Sequence, residues 1–326
     1  METSIEWCST TGPNGETYPG YTFSPWWGCM KVSPACKHCY AETFAERFSP
    51  GLWGPAATTQ RKTASAGYWK QPLYWNLKAS RLETRLKVFC ASMADVFEQH
   101  KQLPVLRERL WNLITITPNL DWLLLTKRPE NVLEMIPETW RGALPANVWV
   151  GTSVESQGYA NERIPHLLKV PARVLFLSCE PLQGHVDLTR LIREERGIAY
   201  VDDCLTGFKA HGQGGWYGPK INWVIAGGES GRDASPSHPQ WFRSLRDQCK
   251  TAGVPFFFKQ WGEYLVYTPD KENKENRTAQ LTLSKPENYF DGRIWFENEP
   301  EAHAVRMGKH GAGNLLDGKK YLEMPV

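Results

Sequence analysis

The sequence has no run of about eighteen apolar residues, so it contains no ordinary membrane-spanning helix. It opens Met1-Glu2-Thr3-Ser4-Ile5-Glu6, with no basic stretch ahead of an apolar one, and a secretory leader is therefore not expected. The expected compartment is the cytoplasm, where eight cysteines are reduced or metal-bound rather than paired in disulfides. Neither sign of charge dominates: a net charge of +3 leaves room for a local basic patch but does not by itself indicate nucleic-acid binding. No histidine cluster accompanies the carboxylates, which counts against a metal-dependent hydrolase built on Asp95, Glu155, Glu180 and Glu229. The glycine-lysine spacing of nucleotide hydrolases is missing as well.

What is present is a cysteine array. Cys29, Cys36 and Cys39 form a C-x6-C-x2-C pattern, followed at once by an amphipathic run from Tyr40 to Phe48. Two residues between Cys36 and Cys39 let both thiolates converge from one turn, Pro34 stiffens the connection, and Cys29 closes the array. Three thiolates leave a tetrahedral metal one ligand short, and leave one iron of a four-iron cluster without a protein ligand. The residues therefore permit a zinc site completed by His38 or Cys8. They also permit a 4Fe–4S cluster with an open iron, or thiols that hold no metal. Many of the fifteen tryptophans lie near this loop (Trp7, Trp26, Trp27, Trp53, Trp69, Trp75), serving either ordinary packing or base stacking.

A short apolar piece, Tyr21-Thr22-Phe23, reads as a first strand leading into the cysteine loop. Residues 49–78 read as a long irregular excursion carrying Arg61, Lys62 and Lys70. Beyond it, β-branched runs alternate with helical patterns. The runs are Val88–Ala91, Trp122–Leu125, Val148–Gly151, Val174–Leu177, Trp223–Ala226 and Pro255–Phe258. Between them lie amphipathic stretches Pro104–Ile116, Pro129–Ile136, Tyr159–Leu168, Leu188–Glu195 and Pro239–Ala252. This alternation predicts an α/β fold with parallel strands and crossover helices, a partial or full TIM-like barrel of about six to eight strands. The expected domains are a barrel over 1–262 and an irregular extension over 263–326 that packs on or near the barrel mouth.

Each apolar run ends in polar groups: Ser92-Met93-Ala94-Asp95, Thr126-Lys127-Arg128-Pro129, Thr152-Ser153-Val154-Glu155, Ser178-Cys179-Glu180-Pro181, Gly227-Gly228-Glu229-Ser230 and Lys259-Gln260-Trp261-Gly262. In a parallel barrel these ends share one face, where active sites are built. A single acidic strand end is ordinarily a cap or a turn residue; the succession of them is the signal. Gly227 and Gly228 suit a close backbone approach to a ligand, with Glu229 accepting from an ammonium group, although a tight turn explains them equally. Lys127, Arg128 and Lys259 suit a carboxylate or phosphate. Residues 196–222 read as a surface insertion and 268–286 as a solvated or partly disordered segment. Arg306 to Gly318, with Arg306 and Lys309, suits a phosphate or nucleic-acid backbone, or an ordinary surface turn. Cys90, Cys179, Cys204 and Cys249 are isolated and read as packing residues.

The ordered combination Pro25-Trp26-Trp27-Gly28-Cys29, Ser33-Pro34-Ala35-Cys36, Cys39-Tyr40-Ala41-Glu42, Ser92-Met93-Ala94-Asp95, Leu125-Thr126-Lys127-Arg128-Pro129, Glu180-Pro181-Leu182, Gly227-Gly228-Glu229-Ser230-Gly231 and Phe258-Lys259-Gln260-Trp261-Gly262 resembles a family of uncharacterised phage- and mobile-element-encoded proteins. That family in turn is similar to a divergent branch of the radical S-adenosylmethionine enzymes. The resemblance implies a 4Fe–4S cluster on Cys29, Cys36 and Cys39, with S-adenosylmethionine on the open iron, cleaved to a 5′-deoxyadenosyl radical after reduction by an electron donor. It implies cosubstrate contacts from Gly227, Gly228 and Glu229, with Ser153 and Glu155 as further candidates. Glu180, Lys127 and Lys259 stand as candidate catalytic groups, and Asp95, Arg128, Arg306 and Lys309 as candidate substrate contacts. The substrate class implied is a nucleobase, nucleotide or nucleic acid, undergoing modification or repair. The alternative of a different class is a zinc-stabilised nucleic-acid-binding or partner protein.

Overall fold

The computed structural model describes residues 1–267, 291–294 and 302–325. Its main sheet has seven strands: β1 Tyr21–Thr22, β2 Leu86–Cys90, β3 Leu120–Thr126, β4 Val148–Ser153, β5 Val174–Cys179, β6 Trp223–Gly227 and β7 Phe256–Gln260. They lie in chain order across the sheet, and the fold class is α/β with a parallel sheet of the partial TIM-like barrel kind. The apolar runs match these strands because β2, β4, β5 and β6 are buried at every residue, the signature of a parallel sheet covered on both faces.

The helices follow from local chemistry. Helix α1, Tyr40–Glu46, starts directly at Cys39, its N-cap. In α2, Gln71–Arg81, Pro72 lies in the first turn and Trp75 and Ala79 are buried one turn apart. Helix α3, Leu103–Thr115, also starts on a proline, and α4 spans Gln157–Leu167. In α5, Pro239–Ala252, the His238 side chain caps the start by accepting from the Gln240 amide, and Gly253 in the left-handed region ends it. Its Phe242 ring packs edge-on against Phe258 of β7 at 5.0 Å.

Two readings change, and the insertion gains detail. Leu188–Glu195 is not a helix: Leu191–Glu195 is a strand that pairs antiparallel with Ile198–Asp202. Arg196 and Gly197 both have positive φ, as a two-residue hairpin turn requires, and this hairpin overrides the helical spacing of Leu188, Leu191 and Ile192. The 196–222 insertion consists of strands, with a second hairpin of Phe208–His211 and Gly214–Tyr217. The excursion 49–78 contains α2, whose pattern is blurred by exposed Leu73, Tyr74 and Leu77 on the opposite face. The segment read as solvated, 268–286, lies outside the described residues.

The chain divides into two compact units, Met1–Thr152 with Pro165–Phe176, and Ser153–Ile164 with Leu177–Val326. The first holds the cysteine loop. In the second, strands Tyr264–Tyr267 and Asp291–Ile294 flank Ala302–Arg306 in an antiparallel sheet. The C-terminal residues cover β7, the sheet edge: the Phe258 amide donates to Tyr321, and the Glu323 carbonyl accepts from the Trp223 indole. Cys8, Cys90, Cys179, Cys204 and Cys249 are buried, and no described cysteine forms a disulfide. Among the described residues no helix is long and apolar enough to cross a membrane.

Candidate functional site

The cysteine loop is hung from the ends of β2 and β3 by two buried ion pairs. Trp26–Trp27 pairs antiparallel with Lys62–Thr63, and Gly28 then bridges to Ala94 beyond β2. Gly28 has φ +110, and a side chain there would meet the Leu52 carbonyl, so glycine is required at the entry to the loop. The Met30 amide donates to Glu98 at 2.9 Å. Glu98 is held in turn by Arg61 through Nε at 2.9 Å and Nη2 at 2.8 Å, both side chains fully buried. The other guanidinium hydrogens of Arg61 go to the Leu52 and Gly54 carbonyls, so the 49–78 excursion is what locks the loop from outside.

The second pair is Arg128 with Asp95, Nη1 to Oδ2 at 2.8 Å. Asp95 also accepts from the Thr126 hydroxyl at 2.7 Å and the amides of Phe97 and Lys127. Arg128 donates to the Met30 carbonyl at 2.6 Å and lies 3.7 Å from the Cys29 sulfur. Asp95, expected at the substrate, thus holds Arg128, which in turn ties down the Met30 carbonyl next to Cys29. Burial pushes the Cys29 thiol up to about 12, Asp95 adds to the rise, and Arg128 opposes it. Cys39 is raised chiefly by burial, with the amides of Glu42 and Ala41 pulling the other way. Cys36 ends the short turn Pro34–Cys36, its sulfur 3.6 Å from the Ser33 hydroxyl. Cys39 packs with Met93, Ala41 and Ala45, and the Tyr40 hydroxyl donates to the Ser92 carbonyl at 2.9 Å, so the loop is moored at both ends.

Among the described residues, no three histidine, cysteine, aspartate or glutamate side chains stand together as a ready-made metal site. All three loop cysteines are free thiols of intermediate burial. Cys8 is fully buried, and the Ser9 carbonyl beside it accepts from Lys87 near the start of β2. Cys29 belongs to the opposite end of that strand. The loop thus offers three sulfurs, with a guanidinium next to one of them, and one imidazole, His38, set between Cys36 and Cys39. That set fits an iron–sulfur cluster with three protein ligands better than a zinc ion completed by Cys8.

In the second unit the strand ends carry a different cluster. Glu180 accepts from Lys259 at 2.7 Å through Oε2 and from the Gln260 side-chain amide at 2.9 Å through Oε1. A side chain on Gly227 would press on that carboxylate, and one on Gly228 would collide with the Trp261 carbonyl. Glycine at 228 thus has a reason in strand closure alone. Glu229 is buried and accepts from the Ser235 amide at 2.9 Å. Glu155 is fully buried and paired with Arg163 at 2.7 Å, and Arg163 also donates to the Ser153 carbonyl. Arg306 donates to the Gly231 and Arg232 carbonyls, a structural tie, whereas Lys309 is exposed on the turn Gly308–Ala312. The tryptophan reading resolves toward packing for Trp7, Trp26, Trp69 and Trp75, all buried, while Trp27 and Trp53 pack, like Cys39, against the cluster of Ala41, Ala45 and Met93.

Glu98, Arg61, Gln260 and Arg163 escaped sequence reasoning. Only Gln260, at the end of an apolar run, carried a signal; the others are paired across 37 residues (Arg61 with Glu98) or across 8 from a helix to the loop before it (Arg163 with Glu155), where no local pattern marks them.

A parallel α/β sheet with a three-cysteine loop anchored beyond its first two long strands defines an α/β protein of the partial-barrel class with a thiol-rich site. The chain belongs to the family described as protein of unknown function DUF5131, whose model matches residues 2–325. Among curated proteins none matches the chain. Among solved structures it is similar to a double mutant of spore photoproduct lyase with bound AdoMet and dinucleoside spore photoproduct, at 11% identity and TM-score 0.38, covering 92% of this chain and 72% of that one. A tyrosine-to-phenylalanine mutant of the same lyase gives 10% identity and TM-score 0.36, covering 86% and 67%.

Proposed function

We propose that the protein is a radical S-adenosylmethionine enzyme whose Cys29, Cys36 and Cys39 hold a 4Fe–4S cluster, with a nucleobase, nucleotide or nucleic acid as substrate. The observation that carries this reading is the set of three free thiols on one loop, moored by the Arg128–Asp95 and Arg61–Glu98 pairs and separated from Cys8. When bound, the cluster supplies one electron for reductive cleavage of the cosubstrate, itself having been reduced by an external donor. Arg128 offsets negative charge at the Cys29 sulfur and fixes Met30, while Glu98 fixes the Met30 amide. Gathering the thiols about one centre falls to the short span between Met30 and Cys39, since its two flanks are held. Gly227, Gly228, Glu229, Ser153 and Glu155 remain proposed contacts for the cosubstrate. Glu180, Lys127 and Lys259 remain proposed catalytic groups, and Asp95, Arg128, Arg306 and Lys309 proposed substrate contacts. Residues 1–262 make up the proposed barrel domain and 263–326 its extension; no helix of the described residues argues for a membrane, and the cytoplasm is the proposed compartment.

The test is anaerobic purification with quantification of iron, sulfide and zinc. Close to four irons and four sulfides per chain are expected for this cluster. Brown charge-transfer absorption and consumption of S-adenosylmethionine under reductant should accompany them. Replacing Cys36 with alanine should abolish cluster retention, and replacing Cys8 or His38 should not. A colourless protein with one zinc that is lost on replacing Cys8 or His38 would establish the zinc alternative instead.

A further inference from the structure

Gln260 carries a polar atom that the fold leaves unsatisfied. The residue is 5% exposed, and its Oε1 is buried without a hydrogen-bond partner among the described residues. The amide orientation is set by its neighbours: Nε2 donates to Glu180 Oε1 at 2.9 Å and lies 3.0 Å from the Ser230 hydroxyl. A carboxylate only accepts, so the nitrogen must face Glu180 and the carbonyl oxygen must point away. A buried acceptor left in this state is destabilising, because it has given up water without gaining a donor.

The backbone spends a register irregularity on this arrangement. Ala226 pairs with Phe258 and Gly227 with Gln260, so Lys259 is an extra residue in β7. In a regular strand, Lys259 and Gln260 would point to opposite faces. The bulge lets both reach the same carboxylate, Lys259 at Oε2 and Gln260 at Oε1. Gly227 leaves room for Glu180 to lie between them, the carboxyl carbon only 3.2 Å from where a side chain would begin. Lys259 gives one of its ammonium hydrogens to Glu180 and keeps a side chain 24% exposed, leaving donors for a ligand.

From this we infer a binding site at the ends of β5, β6 and β7 that takes a planar, uncharged ligand edge with an acceptor beside an N–H. Lys259 donates to the acceptor and Gln260 Oε1 receives the N–H. Glu180 positions Lys259 and Gln260 and neutralises the ammonium, which favours a neutral ligand over a phosphate. The edge belongs to the chemistry of nucleobases and of carboxamides. The proposal stands on these residues alone and needs no cluster; with the radical reading, it names the face that the substrate base presents.

The full chain, as purified, is titrated calorimetrically with thymidine, N3-methylthymidine and nicotinamide. Thymidine should bind, and N3-methylthymidine, which lacks the N–H, at least about tenfold more weakly. Gln260→Leu should lose thymidine with an unchanged thermal midpoint, and Lys259→Met should weaken it. Binding of nicotinamide alone, lost in Gln260→Leu, supports the site with a carboxamide as its source. Equal binding of the two thymidines, undiminished binding by folded Gln260→Leu, or no binding by either thymidine or nicotinamide overturns the proposal. If Gln260→Leu does not fold, the two thymidines on the unaltered chain still decide. Iron content enters none of these readouts, so failure here is separate from failure of the cluster reading.

Discussion

The anchors of the cysteine loop and the cluster around Glu180 both bring acids and bases together at strand ends, yet they are finished differently. Around Cys29, the carboxylates of Asp95 and Glu98 have donors on both oxygens, and Arg61 and Arg128 reach backbone carbonyls as well. Around Glu180 the carboxylate is satisfied, but Lys259 is partly open and Gln260 Oε1 has no partner among the described residues. A saturated buried network holds backbone in one place; one with an unpaired acceptor keeps hydrogen-bonding capacity for another group. The difference separates groups whose hydrogen-bonding capacity is used up within the fold from groups that still offer some, although both clusters gather at strand ends.

The largest effect expected from breaking the saturated side is at Glu98. Glu98→Ala strands the fully buried Arg61 guanidinium and should cost about 3–5 kcal/mol in urea unfolding. The double change with Arg61→Met should recover much of this, because the uncompensated charge goes. A small cost for Glu98→Ala would mean that the pair is not sealed. Next is Arg128→Lys, which keeps the charge but loses the forked contact to Asp95 and Met30. On the cluster reading, metal retention against a chelator should fall by about 10–100-fold, the usual range for groups that orient ligands. Retention unchanged in Arg128→Lys would remove Arg128 from that role.

The two glycines on the other side separate packing from recognition. Gly228→Ala drives a methyl into the Trp261 carbonyl, a backbone atom that cannot swing away, and should cost roughly 1–3 kcal/mol. Gly227→Ala meets only the Glu180 carboxylate at 3.2 Å, the far end of a flexible side chain. It should alter stability less than Gly228→Ala while disturbing the Lys259 and Gln260 contacts. Thermal midpoints and thymidine titrations of the two variants check this; a reversed order would place the close approach elsewhere.

The fold was legible where a strand is buried on both faces. Val148–Ser153 and Trp223–Gly227 announce themselves as apolar β-branched runs because nothing else covers both sides of a chain so uniformly. Legibility failed where a strand has one wet face. Leu191–Glu195 buries Leu191 and exposes Ile192, and the deciding feature was the Arg196-Gly197 turn rather than the run itself. Of the candidate site, the thiols and the strand-end acids could be read as residue types. Whether each acid was finished or waiting could not, since Arg61 reaches Glu98 and Lys259 reaches Glu180 through folds of the chain that no spacing encodes. The bulge at Lys259 is likewise invisible in Phe258-Lys259-Gln260-Trp261, because an extra residue shows only against its partner strand.

The smallest effect tests a third kind of charge, one left partly in water. Asp317 takes Arg243 at 2.8 Å and Arg246 at 2.7 Å, fastening the tail to α5, with its side chain 32% exposed. Burial resists its ionisation, but the hydrogen bonds and charges of the two arginines prevail and hold the carboxyl below its usual value. Stability from a depressed carboxyl is present above its unfolded value near about 3.9 and is lost as pH falls through the lower folded value. Asp317→Asn should therefore cost no more than about 1 kcal/mol at neutral pH, discounted for solvent. The difference from the unaltered chain should shrink as the carboxyl protonates in acid, and shrink again in molar salt. Urea midpoints at pH 7, at pH 3 and in added salt give the comparison. A gap that holds its size through acid and salt would put Asp317 with the sealed anchors of the cysteine loop rather than with surface charge.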